Sequence, residues 1–402
     1  MKIRAITLGA NIQLPVQSGA LVPRAHFLRA GRQAFEDAGF EVQTTRLATQ
    51  PLGDLLDGRD PVSMGIALEQ TCRDDGIEYI SLGTIRPGTD RHLIPIVPEV
   101  VAATERSFVS VSVSSRSTGI DLAAISQTAA AIKRIGEMTP SGFGNHRFAA
   151  LANCPPNIPF FPGGYHNGGR DTFTIGLEAA DLVLGAFEAP TSLEAARTRL
   201  VRAIEDVAAR LEVVADRLAD EHGIAFGGLD FSTAPFPVPE ISTANAIERL
   251  GVDSFGGAGT LFAAALITDA LKQSHFRKAG YCGLFLPVLE DSVLASRSAE
   301  GAVSLDTLLL CSVVCGTGLD LIPLPGDTSP AQLASIILDV ATVAVVLDKP
   351  LTCRLVPIPG AQAGDVTNFD FQFFANTRVM PLKGPSSSRI LERSELVSLG
   401  PR

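Results

Sequence analysis

Residues 311–327 read Cys-Ser-Val-Val-Cys-Gly-Thr-Gly-Leu-Asp-Leu-Ile-Pro-Leu-Pro-Gly-Asp, and an apolar run that begins at Leu308 leads into them. Glycine permits left-handed dihedrals and close backbone approach, whereas a residue that precedes proline stays extended. The pattern therefore predicts a buried strand that ends in a rigid loop carrying Cys315, Asp320 and Asp327. Functional side chains are commonly placed on such loops.

Apolar runs of strand length recur along the rest of the chain, and helix-like segments lie between many of them. The predicted strands are residues 3–8, 41–45, 79–85, 108–113, 147–152, 172–177, 226–231, 283–288, 307–314 and 351–358. The predicted helices are residues 24–38, 60–75, 121–138, 192–222 and 262–273. This alternation predicts an α/β fold with crossover connections.

The longest predicted helix has recognisable boundaries and one apolar face. Thr191 and Glu194 form a capping-box pattern at its start, and Gly223 marks its end. We expect one α/β domain over residues 1–402, in which an internal division would fall at residues 187–192.

Composition and charge limit the function classes. The net charge of -10 argues against a nucleic-acid footprint and against binding to an anionic membrane surface. No apolar run reaches the roughly 18 residues that span a bilayer. Because the chain also starts without a signal-peptide pattern, we expect a cytoplasmic protein. The 46% hydrophobic content makes a homo-oligomer the expected assembly.

The cysteines point to a reducing compartment. They lie mostly within apolar runs and show no C-x-x-C spacing, which is typical of reduced core thiols. The six positions are Cys72, Cys154, Cys282, Cys311, Cys315 and Cys353.

The first candidate site is the Pro- and Gly-rich segment 154–171, which follows a predicted strand. Long loops of this kind are usually functional or mobile. His166 is a candidate metal ligand or general base, and the alternative is a structural histidine with satisfied hydrogen bonds. Arg170 is a candidate for binding a substrate carboxylate or phosphate, and the alternative is an ion pair with Asp171.

A second candidate is the start of the helix near residue 260, where glycines expose backbone N–H groups that favour an anion. The residues are Gly256, Gly257, Gly259 and Thr260. They lack the lysine of a phosphate-binding loop and the strand context of a dinucleotide fingerprint, so no nucleotide cofactor is expected. The alternative is close helix packing that requires small residues.

A third candidate is the pair Glu290 and Asp291 at the end of a predicted strand. Adjacent strand residues point to opposite faces, so at most one of them faces a given cavity. Together with Asp320 and Asp327 they would supply oxygen ligands to a divalent cation of the calcium or magnesium class. The alternative assigns these acids to caps and turns.

Two further groups complete the candidates. Asn376 and Arg378 lie in a segment whose apolar alternation suits a strand, and both are candidates for substrate binding. Cys315 would act as a nucleophile if a base such as His166 lay nearby. The alternatives are a thiol that lines the site and a thiol that only packs.

Several of these motifs, taken in order, resemble the DUF711 family, also called UPF0210. The matching blocks are residues 1–9, 161–166, 255–261, 286–291, 315–320 and 323–327. The family is similar in fold to pyruvate formate-lyase, which implies a large α/β barrel with two sets of strands, helices outside and an interior loop site. Fold similarity does not transfer chemistry. Because the C-terminal stretch has no Arg-Val-x-Gly-Tyr segment and Cys311 and Cys315 are four residues apart, no glycyl radical is expected.

The sequence therefore predicts a non-radical enzyme that acts on a small polar or carboxylated substrate, as a metal-assisted hydrolase or lyase. In this hypothesis His166 moves a proton, Asp320 takes part in catalysis and the glycine-rich helix start holds negative charge with Arg170. The alternatives are a transferase or hydrolase that depends on Cys315, and a non-catalytic protein that binds a small molecule or a metal.

Overall fold

The computed structural model describes residues 1–17, 19–384 and 388–400. Its strands are β1 (Lys2–Gly9), β2 (Glu41–Ala48), β3 (Tyr79–Ile85), β4 (Ser107–Ser115), β5 (Gly119–Asp121), β6 (Phe148–Ala152), β7 (Thr172–Glu178), β8 (Ala225–Asp230), β9 (Gly318–Pro325), β10 (Leu351–Ile358) and β11 (Leu396–Val397).

The first six α-helices are α1 (Val22–Asp37), α2 (Leu52–Leu56), α3 (Pro61–Asp75), α4 (Val97–Ala103), α5 (Leu122–Met138) and α6 (Ala180–Ala186). They are followed by α7 (Leu193–His222), α8 (Thr243–Arg249), α9 (Thr260–Gln273), α10 (Ser292–Ala299), α11 (Leu305–Ser312), α12 (Pro330–Val346) and α13 (Ser388–Leu391). Short 3-10 helices occur at Arg91–Ile96, Pro140–Arg147 and Pro239–Ile241. None of the described helices is long and apolar enough to cross a bilayer.

The strands form one mixed sheet in the order β8-β7-β1-β2-β3-β4-β6-β10-β9, and β5 and β11 extend it beside β4. Strands β1, β2, β3, β4 and β6 are parallel to one another. Strand β7 is antiparallel to β1, and β10 is antiparallel to β6. Because β8 is parallel to β7 and β9 is parallel to β10, the sheet contains two sets of strands that run in opposite directions.

Strand pairing leaves the sheet open between β8 and β9, so hydrogen bonding does not close it into the barrel that the resemblance implies. Residues 277–288 lie between these two edges. Lys278 forms a parallel bridge with Leu229 of β8, and Pro287 forms one with Asp320 of β9. The Val288 N–H also donates to the Asp320 carbonyl at 3.1 Å. An irregular segment therefore connects the two edges of the sheet.

This connecting segment approaches the turn between α11 and β9 closely. A Cβ atom on Gly283 would lie 2.3 Å from the Cα of Gly316, and one on Gly316 would lie 2.6 Å from the Cα of Gly283. Real Cβ atoms do not come this close to backbone, so only glycine fits at both positions. The glycine after Cys315 thus serves a contact between two backbones.

Amphipathic helices cover the sheet. The stripe predicted on the longest helix is confirmed, since Leu200, Ile204, Leu211 and Leu218 are buried on α7. Helix α12 packs on α5, and α7 packs on α1. Burial of these apolar stripes is the main force that holds helices of this kind on a sheet.

The prediction of a strand at residues 307–314 is wrong, because this segment belongs to helix α11. Ser304 caps the helix by accepting a hydrogen bond from the Thr307 N–H at 3.2 Å. Of the three residues predicted to lie on the loop that follows, Asp320 lies in strand β9, whereas Cys315 and Asp327 lie in the turns before and after that strand. Strand β9 accommodates two prolines because it lies at the end of the strand order, where a missing N–H is tolerated.

Two strand predictions and one cap also need correction. Residues 283–288 form only bridges and no regular strand, and the segment around Asn376 contains only an isolated bridge between Val366 and Arg378. The cap of α7 is Ser192 and not Thr191, because the Ser192 hydroxyl accepts from the Ala195 N–H at 3.0 Å. Residues 187–192 separate β7 from β8 in sequence, yet these two strands pair in one sheet.

Candidate functional site

A cavity of about 310 Å³ lies over the sheet face opposite the helices, beneath the irregular segments that follow several strands. Side chains of β1, β2, β3, β4, β9 and β10 form its base, and loop residues complete its wall. Its charged interior consists of Arg4, Arg46, Glu290, Asp320 and Arg354. Its aromatic lining includes Tyr79, Phe108, Phe143, Phe160, Phe161, Tyr281, Phe285, Phe371 and Phe373.

Strands β1 and β10 bring Arg4 and Arg354 into this cavity. Arg4 lies between Ile3 and Ala5, which are fully buried, and Arg354 lies between the buried residues Cys353 and Leu355. Since alternate strand residues point to the same face, Thr352 and Arg354 of β10 both line the cavity. Arg4 reaches the cavity where the register of β1 with β7 shifts, between Ile3 and Ala5.

Arg4 is held between two carboxylates. Its Nη1 donates to Glu178 Oε1 at 2.9 Å, and its Nη2 donates to Glu290 Oε2 at 3.2 Å. Gln43 also donates to Glu178 Oε1, at 3.0 Å. This arginine is therefore neutralised by the protein itself.

Arg354 is neutralised in the same way. Its Nη2 donates to Asp320 Oδ2 at 2.8 Å, and its Nε donates to the other oxygen of the same carboxylate. The Nη2 atom also lies 3.5 Å from Glu290 Oε1. Two-pronged pairs of this kind fix the orientation of both partners.

Glu290 links the two arginines and faces the cavity. Burial raises its pKa above the usual range, and the charge of Asp320 acts in the same direction. Arg4 and Arg354 oppose this shift. The result is a carboxyl group that keeps its proton to a higher pH than an exposed glutamate does.

Arg46 differs from the other two interior arginines because it has no carboxylate partner. Its Nε donates to Thr44 Oγ1 at 3.0 Å, and its guanidinium group lies over the Phe161 ring at 5.3 Å from the centroid. In the part of the chain that the structure describes, no acidic side chain forms a salt bridge with it. Burial, together with the charge of Arg4, lowers the pKa of Arg46 to about 9.

Two other polar groups border the cavity. His146 Nδ1 lies 2.6 Å from the Phe143 carbonyl, and burial with the nearby charge of Arg147 lowers the pKa of His146 to about 3. The imidazole is therefore neutral, and its Nδ1–H donates to that carbonyl. Burial raises the pKa of Tyr281 well above its usual value.

Of the residues predicted from sequence, Glu290 and Asp320 meet in this cavity. His166 does not line it, because its ring is buried with Nδ1 at 3.2 Å from Asn157 Oδ1 and Nε2 at 3.1 Å from the Gly169 carbonyl. Arg170 donates to the Gly223 carbonyl at 2.7 Å. Asp171 pairs with Arg24 at 3.4 Å, so the predicted alternative of a pair with Arg170 is not the pair that forms.

The remaining predicted acids and the thiol lie elsewhere. Asp291 caps α10 and accepts from the Val293 and Leu294 N–H groups. Asp327 is exposed in the turn after β9, and Cys315 is buried without contributing to the cavity lining. Within the described residues, no group of three or more His, Cys, Asp or Glu side chains is arranged to hold a metal ion.

The predicted anion-binding helix start forms a separate surface hollow. Gly256, Gly257, Gly259 and Thr260 line a hollow of about 400 Å³ beside α11. The Thr260 hydroxyl accepts from the Gly256 N–H at 3.0 Å.

Asn376 and Arg378 likewise serve their own segment. Asn376 Oδ1 accepts from the Phe369 N–H at 2.8 Å, and Arg378 donates to the Gly364 carbonyl at 2.8 Å.

Sequence reasoning missed the three arginines that define the interior of the cavity. One signal was available in the sequence. Arg4 and Arg354 lie within predicted strands whose other residues are mostly apolar, and Arg46 directly follows a predicted strand. A lone charge in such a strand must find a partner or a ligand when it is buried.

Comparison with known proteins gives one family. A family profile described as Uncharacterised ACR (DUF711) matches residues 1–376. A UPF0210 protein of Pyrobaculum arsenaticum is 34% identical over 395 residues, which cover 91% of this chain and 87% of that protein. A UPF0210 protein of Desulforudis audaxviator is 31% identical, with 92% and 88% covered, and one of Methanosarcina mazei is 30% identical, with 88% and 82% covered.

Proposed function

The chain belongs to the DUF711 (UPF0210) family, and we propose that it is an enzyme that acts on a small carboxylated substrate in the arginine-lined cavity. Arg46 binds the substrate carboxylate, and Glu290 transfers a proton. The observation that carries this proposal is a cavity-facing guanidinium group without a carboxylate partner, in the same cavity as a carboxyl group whose pKa is raised by burial.

The electrostatics of Arg46 favour an anionic ligand. A partly buried charge without an ion-pair partner is unfavourable, and burial with the charge of Arg4 lowers the pKa of Arg46 although the charges of Glu290 and Glu78 oppose this. A ligand carboxylate would supply the missing anion through charge-assisted hydrogen bonds, each of which contributes roughly 1.5–3 kcal/mol.

Glu290 has the properties of a general acid or base. A catalytic group works best when its pKa lies near the operating pH, and burial moves Glu290 in that direction. Arg4 and Arg354 fix the position of its two oxygens. Proton transfer to or from the atom next to a bound carboxylate is a step that lyases and hydrolases both need. The described lining includes no serine or cysteine nucleophile, which favours lyase chemistry.

A divalent cation between Glu290 and Asp320 is the competing proposal. The donor set does not fit it well, because the two carboxylates are paired with guanidinium groups and a hard cation needs more oxygen ligands. A cation would have to displace Arg4 and Arg354. Saturable binding of magnesium or calcium to the wild type, abolished in Asp320→Asn, would support the metal proposal over ours.

We also propose that residues 277–288 complete the sheet as a barrel similar to that of pyruvate formate-lyase. The parallel bridges of this segment to β8 and to β9 support the proposal. In such a barrel the cavity occupies the interior, where loop segments from several strands converge.

Turnover by Glu290→Gln tests the proposed enzyme directly. Purified protein is incubated with a panel of small carboxylic acids, and products are followed by NMR. Removing a general acid or base lowers the rate by roughly 100- to 10,000-fold. The exposed Glu240→Gln is the matched control and should keep the wild-type rate. Unchanged turnover in Glu290→Gln would exclude Glu290 from catalysis.

A further inference from the structure

We infer that the cavity binds a monocarboxylic acid with a flat, aromatic or conjugated body of one or two rings. This inference rests on the proposed role of Arg46 and adds the class of ligand. Three features of the cavity carry it: its charge balance, the hydrogen bonds of its polar lining and the placement of its rings.

The charge balance accommodates one added negative charge if one proton is taken up with it. Arg4 and Arg354 share three carboxylates, those of Glu178, Glu290 and Asp320. With Arg46 added, the three formal positive charges equal the three formal negative charges. A bound ligand carboxylate therefore leaves the interior neutral only if the protein takes up one proton. Glu290 is the cavity-facing group that would accept this proton.

A dianion would leave an uncompensated charge in the same interior. A phosphate dianion or a dicarboxylate would need a second cation, and the remaining arginine of the lining, Arg106, is exposed at the rim beside the exposed Glu105. Water screens these rim charges. The interior therefore suits a monoanion.

The polar lining leaves little for a polyhydroxylated ligand. The Thr44 hydroxyl donates to the Arg4 carbonyl at 2.7 Å, and the Thr352 hydroxyl donates to the Thr317 carbonyl at 2.7 Å. Gln43 donates to Glu178 at 3.0 Å. Since these donors already serve the protein, they are not available to the hydroxyl groups of a sugar.

Aromatic rings lie beside the free guanidinium group. Phe161 is under Arg46, and the Phe161 and Phe108 centroids are 5.3 Å apart. The ring centroid of Phe108 also lies 5.8 Å from that of Tyr79 and 6.1 Å from that of His146. A ligand whose carboxylate meets Arg46 would place its body against these rings, and rings at such spacings favour a flat aromatic neighbour.

The volume limits the size of that body. At about 310 Å³ the cavity lies at the small end of ligand pockets, which span about 300–1,000 Å³. One or two rings with a carboxylate suit this volume.

Isothermal titration calorimetry of the full chain tests the inference, with benzoate and trans-cinnamate as flat probes. Cyclohexanecarboxylate matches benzoate in charge but is not flat, and phthalate and inorganic phosphate test the charge. We expect saturable binding of at least one flat monocarboxylate. The affinities of cyclohexanecarboxylate, phthalate and phosphate should be lower by about tenfold or more, and each tenfold corresponds to about 1.4 kcal/mol of binding free energy. Titrations in two buffers of different ionisation enthalpy should show proton uptake on binding.

Variants show whether the ligand binds at the inferred position. Arg46→Gln should weaken binding by roughly 10- to 100-fold through loss of a charge-assisted pair. The exposed Arg249→Gln, outside the cavity lining, is its matched control and should change affinity by less than about threefold. Phe161→Leu should reduce the preference for benzoate over cyclohexanecarboxylate. Melting temperatures report whether each variant is folded.

Each outcome decides one of the two proposals. Equal binding of cyclohexanecarboxylate or phosphate, an unaffected Arg46→Gln, or no binding of any flat acid at millimolar concentration overturns the inference. A flat acid that binds through Arg46 while Glu290→Gln leaves turnover unchanged upholds the inference and overturns the proposed catalytic role.

Discussion

Arg46 and Arg354 both point into the cavity, but only Arg354 faces a carboxylate of the protein. Exchanging each for methionine keeps much of the apolar stem and removes the charge. Arg354→Met leaves Asp320 and Glu290 buried with less compensation, and such a loss destabilises by roughly 3–5 kcal/mol. Arg46→Met removes a charge that forms no ion pair, and Glu290 can take up a proton to keep the interior neutral, so the free energy of unfolding of this variant should equal or exceed that of the wild type. Urea unfolding of both variants measures the difference, and a large loss for Arg46→Met would show an anionic partner within the protein.

His146 is expected to stay neutral across the physiological range. Burial lowers its pKa to about 3, whereas an unfolded histidine titrates near 6.5. The unfolded state therefore binds the extra proton first, and this group costs stability as the pH falls from about 6.5 towards 3. NMR shifts of the His146 ring should not change between pH 5 and pH 8. A titration midpoint near 6.5 would contradict the described burial.

At this scale the sequence predicted the acids better than their partners. The clustering of strand ends predicts that Glu290 or Asp291 lies with Asp320 and Asp327, and of these four acids Glu290 and Asp320 line the cavity. Their pairing with Arg4 and Arg354 depends on the register of strands far apart in sequence, such as Cys353 of β10 opposite Leu319 of β9. Local patterns contain no information on such a register.

Among the elements, strand β8 carries the buried acid that positions the connecting segment. Asp230 Oδ2 accepts from the Tyr281 N–H at 2.7 Å, and Oδ1 accepts from the Cys282 N–H at 2.9 Å. The Ser232 N–H and hydroxyl donate to Oδ1 as well. One carboxylate thus fixes the backbone that leads from Tyr281 towards the cavity wall.

Asp230→Asn should destabilise the protein, because an amide NH₂ would face one of these N–H donors. An unsatisfied buried donor costs roughly 1–3 kcal/mol. Burial raises the pKa of Asp230 to about 6, so the folded state holds its proton more tightly and the wild type loses stability as the pH rises from about 4 to 6. The variant lacks this term, and its deficit should therefore be larger at pH 5 than at pH 8. Chemical unfolding at both pH values measures it, with the exposed Asp253→Asn as control.

The error at residues 307–314 shows how local patterns fail for elements. The seven apolar or small residues 308–314 fit a strand or a buried helix equally well. A run this short does not show whether its apolar residues repeat with the period of a strand or of a helix. The Ser304 and Thr307 capping box was the signal that favours helix α11. Residues 351–358, by contrast, were predicted as a strand and match β10 at both ends.

At the scale of the whole molecule, two backbones in contact hold the connecting segment against the sheet. Gly316→Ala would place a Cβ at 2.6 Å from Gly283 Cα and force the segment away from β9. Overpacking of this kind costs roughly 1–3 kcal/mol.

Hydrogen exchange should therefore speed up at residues 277–288 in Gly316→Ala. Gly185→Ala in α6 is the control, because a Cβ there meets nothing within 4 Å. Unchanged exchange in Gly316→Ala would show that this contact does not hold the two edges together.

Alternating strands and helices were readable from the sequence, and they predicted the fold class. The strand order was not readable, because it joins β6 to β10 and β1 to β7 across long separations. The cavity depends on this order, since its arginines come from β1, β2 and β10. The residues of this cavity come together only through the strand order, so the cavity cannot be recognised before that order is known.

Arg46 is proposed to bind the carboxylate of a flat acid. A crystal structure of the full chain with trans-cinnamate tests this binding mode most directly. We expect both carboxylate oxygens to lie at hydrogen-bond distance from the Arg46 guanidinium group, with the ring against Phe161 and Phe108 and the Arg4 and Arg354 pairs intact. A carboxylate bound at Arg4 or Arg354 in place of Glu290 or Asp320, or a cation held between those two acids, would contradict it.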